Sequence, residues 1–222
     1  MKKAIIFGSS GFVGSHLLSE LLNSPEYEQV TAVVRKNLSI SHPKLNTLIG
    51  DYRSLPALEP EISADEVFIA LGATRATSPE REKYYQVDHD YPVLAARIAK
   101  ARGAKSVFLV TAVGANPHSR VFYVRTKGET ERDITALDFE HTHIFRPSMI
   151  MGDPQPDPGR QAQQVQGHGW GGYCQSYEEF RDQSIGKVEG VSLEGNERFI
   201  ARVVGISMDT PRFRQKISLL HL

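Results

Sequence analysis

Apolar residues follow two rhythms along this chain. The short runs AIIF (4–7), VTAVV (30–34), VFIAL (67–71), SVFLVT (106–111) and HIF (143–145) are apolar almost without a break. Such runs predict strands of a parallel sheet covered on both faces. Between the first two lies VGSHLLSELL, where Val13, Leu17, Leu18, Leu21 and Leu22 fall on one helical stripe. Ser24-Pro25 ends that helix, because the residue before a proline is pushed to extended backbone. The segment DYPVLAARIAKARGAK (90–105) sets Val93, Leu94, Ile98 and Ala101 at helical spacing, with Gly103 as C-cap. Strand–helix alternation of this kind predicts an α/β fold, a doubly wound parallel sheet of Rossmann type with right-handed crossovers.

Past about Asp153 the rhythm stops. DPQPDPG (153–159) holds three prolines and reads as loop, and residues 159–195 carry eight of the 18 glycines among glutamines and few aliphatics. RFIARVVGI (198–206) fits one last strand. The chain therefore divides into a domain over 1–153 and a C-terminal segment over 154–222. That segment is divergent, poorly ordered or read in a shifted frame, three alternatives that the residues leave open.

Composition narrows the function classes. Lys+Arg and Asp+Glu both number 26, so the net charge is zero. No basic field exists to hold nucleic acid or an anionic membrane. The single cysteine, Cys174, forms no internal disulfide and is assigned no role. The apolar run at 4–7 is shorter than the about 7–15 residues of a secretory signal core. No run approaches the roughly 20 residues that cross a bilayer. The expectation is a soluble, cytoplasmic protein.

The first strand runs directly into Gly8-Ser9-Ser10-Gly11-Phe12-Val13-Gly14 and a helix follows. Glycines in that place let the chain turn tightly and let a pyrophosphate approach bare N–H groups at the helix start. Strand, turn and helix together meet the contextual test for a dinucleotide site. The second strand ends in Val34-Arg35-Lys36 rather than in an acidic residue. A guanidinium there suits a ribose 2′-phosphate, which favours NADP(H) over NAD(H). The other reading of Arg35 and Lys36 is a solvated strand end. Asp51, where a third strand should finish, either meets the adenine edge or serves its own turn.

In the stretch FYVRTKGE, Tyr123 and Lys127 stand four apart, on one face of a predicted helix. A phenol near pKa 10 is a poor acid–base group at neutral pH unless a neighbouring ammonium lowers it. An ordinary helix pair is the competing reading. His141 and His143 are taken to face opposite sides of a strand, so no metal site is expected there. Arg75 is either a phosphate ligand or a solvated loop residue.

Five segments then agree in order and spacing: GSSGFVG, LGATR (71–75), VDHDY (87–91), TAVGANPHSRVFYVRTKGETE (111–131) and FRPSMIMGD (145–153). Together they resemble the atypical short-chain dehydrogenase/reductases, specifically the Tat-interacting-protein-like oxidoreductase branch, over about residues 3–153. The resemblance implies an NADP(H)-binding Rossmann domain with strand order 3-2-1-4-5-6. It implies a catalytic set of Thr111, Tyr123 and Lys127, with Lys127 also holding cofactor ribose. It places Ala70, Leu71 and Gly72 along the cofactor ribose and phosphates, and Pro147 and Ser148 near the nicotinamide. Family members show two hydroxyl residues where this chain has Thr111-Ala112, and their C-terminal part, which closes the substrate pocket, does not resemble residues 159–195. The function so implied is hydride transfer between nicotinamide and a small carbonyl or alcohol, with Tyr123 as acid–base. The alternative is an NADP(H)-binding sensor or scaffold without turnover. A small-molecule substrate and a possible homodimer complete the expectation.

Overall fold

A computed structural model describes residues 1–73, 78 and 80–147. Six strands form one sheet: β1 Lys2–Phe7, β2 Tyr27–Val34, β3 Leu45–Ile49, β4 Glu66–Ile69, β5 Ser106–Val110 and β6 His141–Phe145. Every pairing is parallel and the order is β3-β2-β1-β4-β5-β6. This is the doubly wound order expected, with its switch point between β1 and β4, where such sheets open a crevice at their carboxyl edge.

The sheet's two faces read directly from β1. Ala4 and Ile6 join the core beneath α1 (Phe12–Asn23), where Leu17, Leu18, Leu21 and Leu22 pack. Ile5 and Phe7 point the other way, into the core shared with α4 (Tyr91–Ala101) and α5 (Phe122–Thr135). Period-two alternation sorts the side chains, and both layers take them because both are apolar. Each buried α1 leucine contributes about 1.5–3 kcal/mol of apolar burial. Ser24 caps α1 at φ −72°, ψ 132°, as its following proline requires. Gly103 closes α4 at φ +100°, a left-handed conformation in which Ala104 N–H reaches the Ala99 carbonyl.

Two elements escape the apolar rhythm. A short helix α2 (Leu55–Leu58) follows β3. The helix expected from residue 90 starts earlier, as α3 (Arg81–Tyr85), and runs through a π turn at Gln86–Asp90 before becoming α4. One aromatic stack also crosses the α1-side face: Phe68 on Phe108 at 4.5 Å, and Phe108 on His143 at 4.4 Å, both nearly coplanar. The expectation for the histidines is corrected here. Residues two apart on a strand share a face, and the His141 and His143 rings lie 6.5 Å apart. Among the described residues no cluster of three metal-ligating side chains occurs. The expectations for Arg75, Ser148, Cys174, the strand at 198–206 and the segment 154–222 fall outside the described residues.

Candidate active site at the carboxyl edge

The glycine turn is built as a close approach of backbones. Gly8 sits at φ +91°, and a Cβ there would lie 2.5 Å from the Ala70 carbonyl oxygen. A Cβ on Gly14 would lie 2.0 Å from the Gly8 oxygen. Gly11 N–H donates to the Gly8 carbonyl at 2.9 Å, which closes the turn, and α1 begins at Phe12. No side chain caps that helix and no acidic residue stands in its first turn. Its N-terminal N–H groups and positive dipole end therefore face outward, the arrangement that receives phosphate. Ser9 Oγ is buried there with no hydrogen-bond partner among the described residues. Ser10 is exposed; Phe12 and Val13 are half-buried. An unclaimed hydroxyl and uncapped N–H groups beside a glycine turn fit a dinucleotide pyrophosphate.

From this turn the site extends both ways along the edge. Ala70 N–H donates to the Phe7 carbonyl, so Ala70, Leu71 and Gly72 leave β4 directly against Gly8. On the other side Arg35 and Lys36 end β2, both exposed. Arg35 and Asp51 both act on Tyr91, whose hydroxyl burial pushes up to about 12, with Asp51 adding to the rise and Arg35 opposing it. The ends of β2 and β3 and the start of α4 thus meet at one place, although Tyr91 was given no role beyond its place in VDHDY. Asp51 serves its own turn: Oδ1 accepts from the N–H groups of Arg53 at 2.9 Å and Ser54 at 3.0 Å. The Ser54 and Arg53 bonds hold its carboxyl below the usual range.

The inner part of the site centres on Asp88, a residue to which the sequence reading assigned no role. Asp88 is buried in the π turn. Its Oδ2 accepts the Ala73 N–H at 2.7 Å, and its Oδ1 lies 2.5 Å from the Lys127 ammonium, itself buried. That approach is ionic rather than an aligned hydrogen bond. The Asp88 carbonyl accepts from Thr130 Oγ1 at 2.8 Å, so one residue ties the strand-β4 loop, the π turn and α5 together. Gly72 faces the pair: a Cβ there would stand 3.9 Å from Lys127 Nζ and 4.0 Å from Asp88 Oδ1, ordinary contact distances.

Two expectations of the sequence change here. Tyr123 does stand one turn before Lys127 on α5 and is 43% exposed. Its ionisation is raised rather than lowered, first by what burial it has and then by the Asp88 carboxylate. The Lys127 ammonium lies against Asp88, and the influences that shift Tyr123 are burial and Asp88. Thr111, expected to polarise the substrate, is buried and donates its hydroxyl to Glu131 Oε1 at 2.5 Å. Glu131 lies two helical turns past Tyr123, about 12 Å along α5, and is clamped by Arg146 Nε and Nη2. The Thr111 hydroxyl thus braces β5, α5 and the end of β6 in this structure. Pro147 stays at the edge, its carbonyl accepting from Val113 N–H at 3.0 Å.

Comparison with known proteins follows this geometry. A family model described as NAD(P)H-binding matches residues 8–172. The mitochondrial protein FMP52 of Candida glabrata is 37% identical over 150 residues, 68% of this chain and 64% of that protein. The chain thus matches less than two thirds of that relative's length. The Aspergillus fumigatus fmp52 protein is 38% identical over 165 residues, covering 70% of this chain and 69% of the relative. Among solved structures, the oxidoreductase ylbE from Lactococcus lactis superposes with a TM-score of 0.56 at 18% identity, over 69% of this chain and 72% of that one. A short-chain dehydrogenase/reductase superfamily protein from Agrobacterium tumefaciens with bound NAD gives 0.54 at 15% identity, over 65% and 48%. At those identities the structures show the fold alone. The cytoplasmic expectation is overturned, since the FMP52 relatives are named mitochondrial. The short apolar run at 4–7 and the single cysteine do not bear on that compartment, whose import segments are amphipathic rather than continuously apolar.

Proposed function

The chain belongs to the NAD(P)H-binding family, and from that membership we propose that it is an oxidoreductase of short-chain type using NADP(H) on a small carbonyl or alcohol. We read it as mitochondrial, like its relatives. The observation that carries the reading is one continuous edge: an uncapped helix behind a glycine turn, joined through Ala70–Ala73 to Asp88, Lys127 and Tyr123.

In this reading the α1 N-terminus and residues 8–14 hold the pyrophosphate. Arg35 and Lys36 hold the 2′-phosphate, and Asp51 lies on the adenine side. Ala70, Leu71 and Gly72 pass the ribose and phosphates, and Pro147 lines the nicotinamide end. When bound, the dinucleotide supplies or takes the hydride; the protein orients the reactants and handles the proton. Lys127, held by Asp88 through charge, offers N–H donors to the ribose hydroxyls. Tyr123 exchanges the proton with the substrate oxygen.

Titration of the purified chain with NADPH and NADH, followed by nicotinamide fluorescence, tests the cofactor. NADPH is expected to bind more tightly, and Arg35→Ala to remove the preference. No binding of either dinucleotide overturns the proposal. Carbonyl turnover by wild type against Tyr123→Phe tests the chemistry, with a loss of about 10²–10⁴-fold expected and NADPH affinity retained. A second reading, a binder without turnover, is favoured by the commitment of Thr111 to Glu131. Tight NADPH binding with no carbonyl reduced at any pH supports that reading.

A further inference from the structure

We propose that Asp88 is a positioning residue for the nicotinamide half of the cofactor: its two carboxylate oxygens hold the loop after β4 and the Lys127 ammonium as one unit, so that loop and ammonium meet the same ribose. The proposal rests on the oxidoreductase reading above and assigns a role within that site.

Lysine is a flexible four-carbon arm ending in a point charge, and such an arm keeps one place only where a partner fixes it. Lys127 is buried, and among the described residues Asp88 is its ion-pair partner. Oδ1 of Asp88 lies 2.5 Å from Nζ, while Oδ2 accepts the Ala73 N–H at 2.7 Å. One rigid carboxylate thus fixes a backbone donor and a side-chain cation relative to each other. Gly72 lies across that joint. It is exposed, and the first atoms a Cβ there would meet are Lys127 Nζ at 3.9 Å and Asp88 Oδ1 at 4.0 Å. A ligand lying against Gly72 therefore meets the ammonium where Asp88 holds it.

A braced frame carries the carboxylate. A π turn displaces a residue from the α register, and such turns recur at functional sites. Val87 and Asp90 are half-buried, while Asp88 is turned fully inward. Helix α5 braces this turn through contacts that do not use the Asp88 side chain. Thr130 Oγ1 donates to the Asp88 carbonyl at 2.8 Å. The ring nitrogens of His89 lie 2.8 Å from Asp90 Oδ1 and 2.9 Å from Asp133 Oδ2. Removing the Asp88 charge therefore leaves the turn in place and frees the two groups it holds. Among the described residues no hydrogen bond or ion pair joins Asp88 to residues 8–14, Arg35 or Asp51, so the adenine half of the edge does not depend on it.

The experiment is calorimetric titration of the full chain with two ligands. One is NADPH. The other is adenosine 2′,5′-bisphosphate, which carries the adenine, its ribose and the 2′-phosphate but no nicotinamide half. In Asp88→Asn the NADPH affinity is expected to fall by about 10-fold or more, the worth of one hydrogen bond from a charged group, while the bisphosphate affinity stays at the wild-type value. Lys127→Met is expected to reproduce that loss. Asp88→Asn/Lys127→Met, which strands no buried charge, is expected not to deepen it. A purely structural Asp88 would weaken both ligands together or neither, and either result overturns the proposal. So do losses from the two single variants that add in the double. If the wild type binds no NADPH, the cofactor reading fails and this inference with it. If it binds NADPH and the losses are shared, absent or additive, this inference alone fails.

Discussion

Glycines at the site do different jobs, and single substitutions separate them. At Gly14 an added methyl meets backbone at 2.0 Å, so the fold itself requires the glycine. Gly14→Ala is expected to cost about 1–3 kcal/mol or more in urea unfolding, with or without a cofactor. At Gly72 an added methyl meets only ordinary contacts. Gly72→Ala is therefore expected to unfold within about 0.5 kcal/mol of wild type yet to bind NADPH more weakly, as the fluorescence titration would read. Unchanged affinity would remove Gly72 from the cofactor path. The sequence made the glycine turn, Arg35 and the Tyr123–Lys127 spacing legible because each is a local pattern. Asp88 and the Thr111–Glu131–Arg146 clamp were not legible, because their partners lie 39, 20 and 15 residues away in sequence and no local periodicity links them.

At the scale of elements, strands came through best. The four inner strands β1, β2, β4 and β5 are short apolar runs buried over most of their length, while the edge strands β3 and β6 are mostly half-buried. Helix α4 was found, but its continuation through the π turn into α3 was not, since a π turn breaks the 3.6-residue spacing by which helices are recognised. Strand β6 carries a pH consequence. His143 stacks on Phe108 and its Nδ1 is buried without a partner among the described residues. Burial first, and then His141, hold its ionisation below the model-compound value of 6.5. A histidine depressed in the folded state takes up its proton more readily once unfolded. Stability is therefore full above about pH 6.5 and falls as the pH drops through the lowered value. Urea midpoints between pH 5 and pH 8 should show that fall in wild type and a smaller one in His143→Phe. An identical slope in both would move the cause elsewhere.

Over the whole molecule, the order β3-β2-β1-β4-β5-β6 brings the first βα turn, the ends of β2 and β3 and the start of α4 to one edge, although Gly8 and Tyr91 are 83 residues apart in the chain. Alternation implied a doubly wound parallel sheet with right-handed crossovers, whereas the strand order that makes these ends converge was expected from the resemblance. What residues 159–195 contribute was not inferable, because their sequence has neither apolar period nor turn chemistry of a definite type. A ligand bound across this edge links the two halves of the sheet. NADPH at about 100 times its dissociation constant is expected to add about 2.7 kcal/mol to global stability. Chemical unfolding with and without NADPH checks this, and Arg35→Ala should shrink the gain.

The buried Asp88–Lys127 pair also bears on how the chain can drift. Neither member can be lost alone without stranding a charge in the interior, a cost of about 3–5 kcal/mol, whereas Tyr123 is 43% exposed and holds up little of the fold. A descendant that gave up chemistry would therefore shed its tyrosine early and retain its lysine for structural reasons. Across related chains, the state of position 123 would date the loss of turnover; a retained lysine at 127 would record only that the protein still folds.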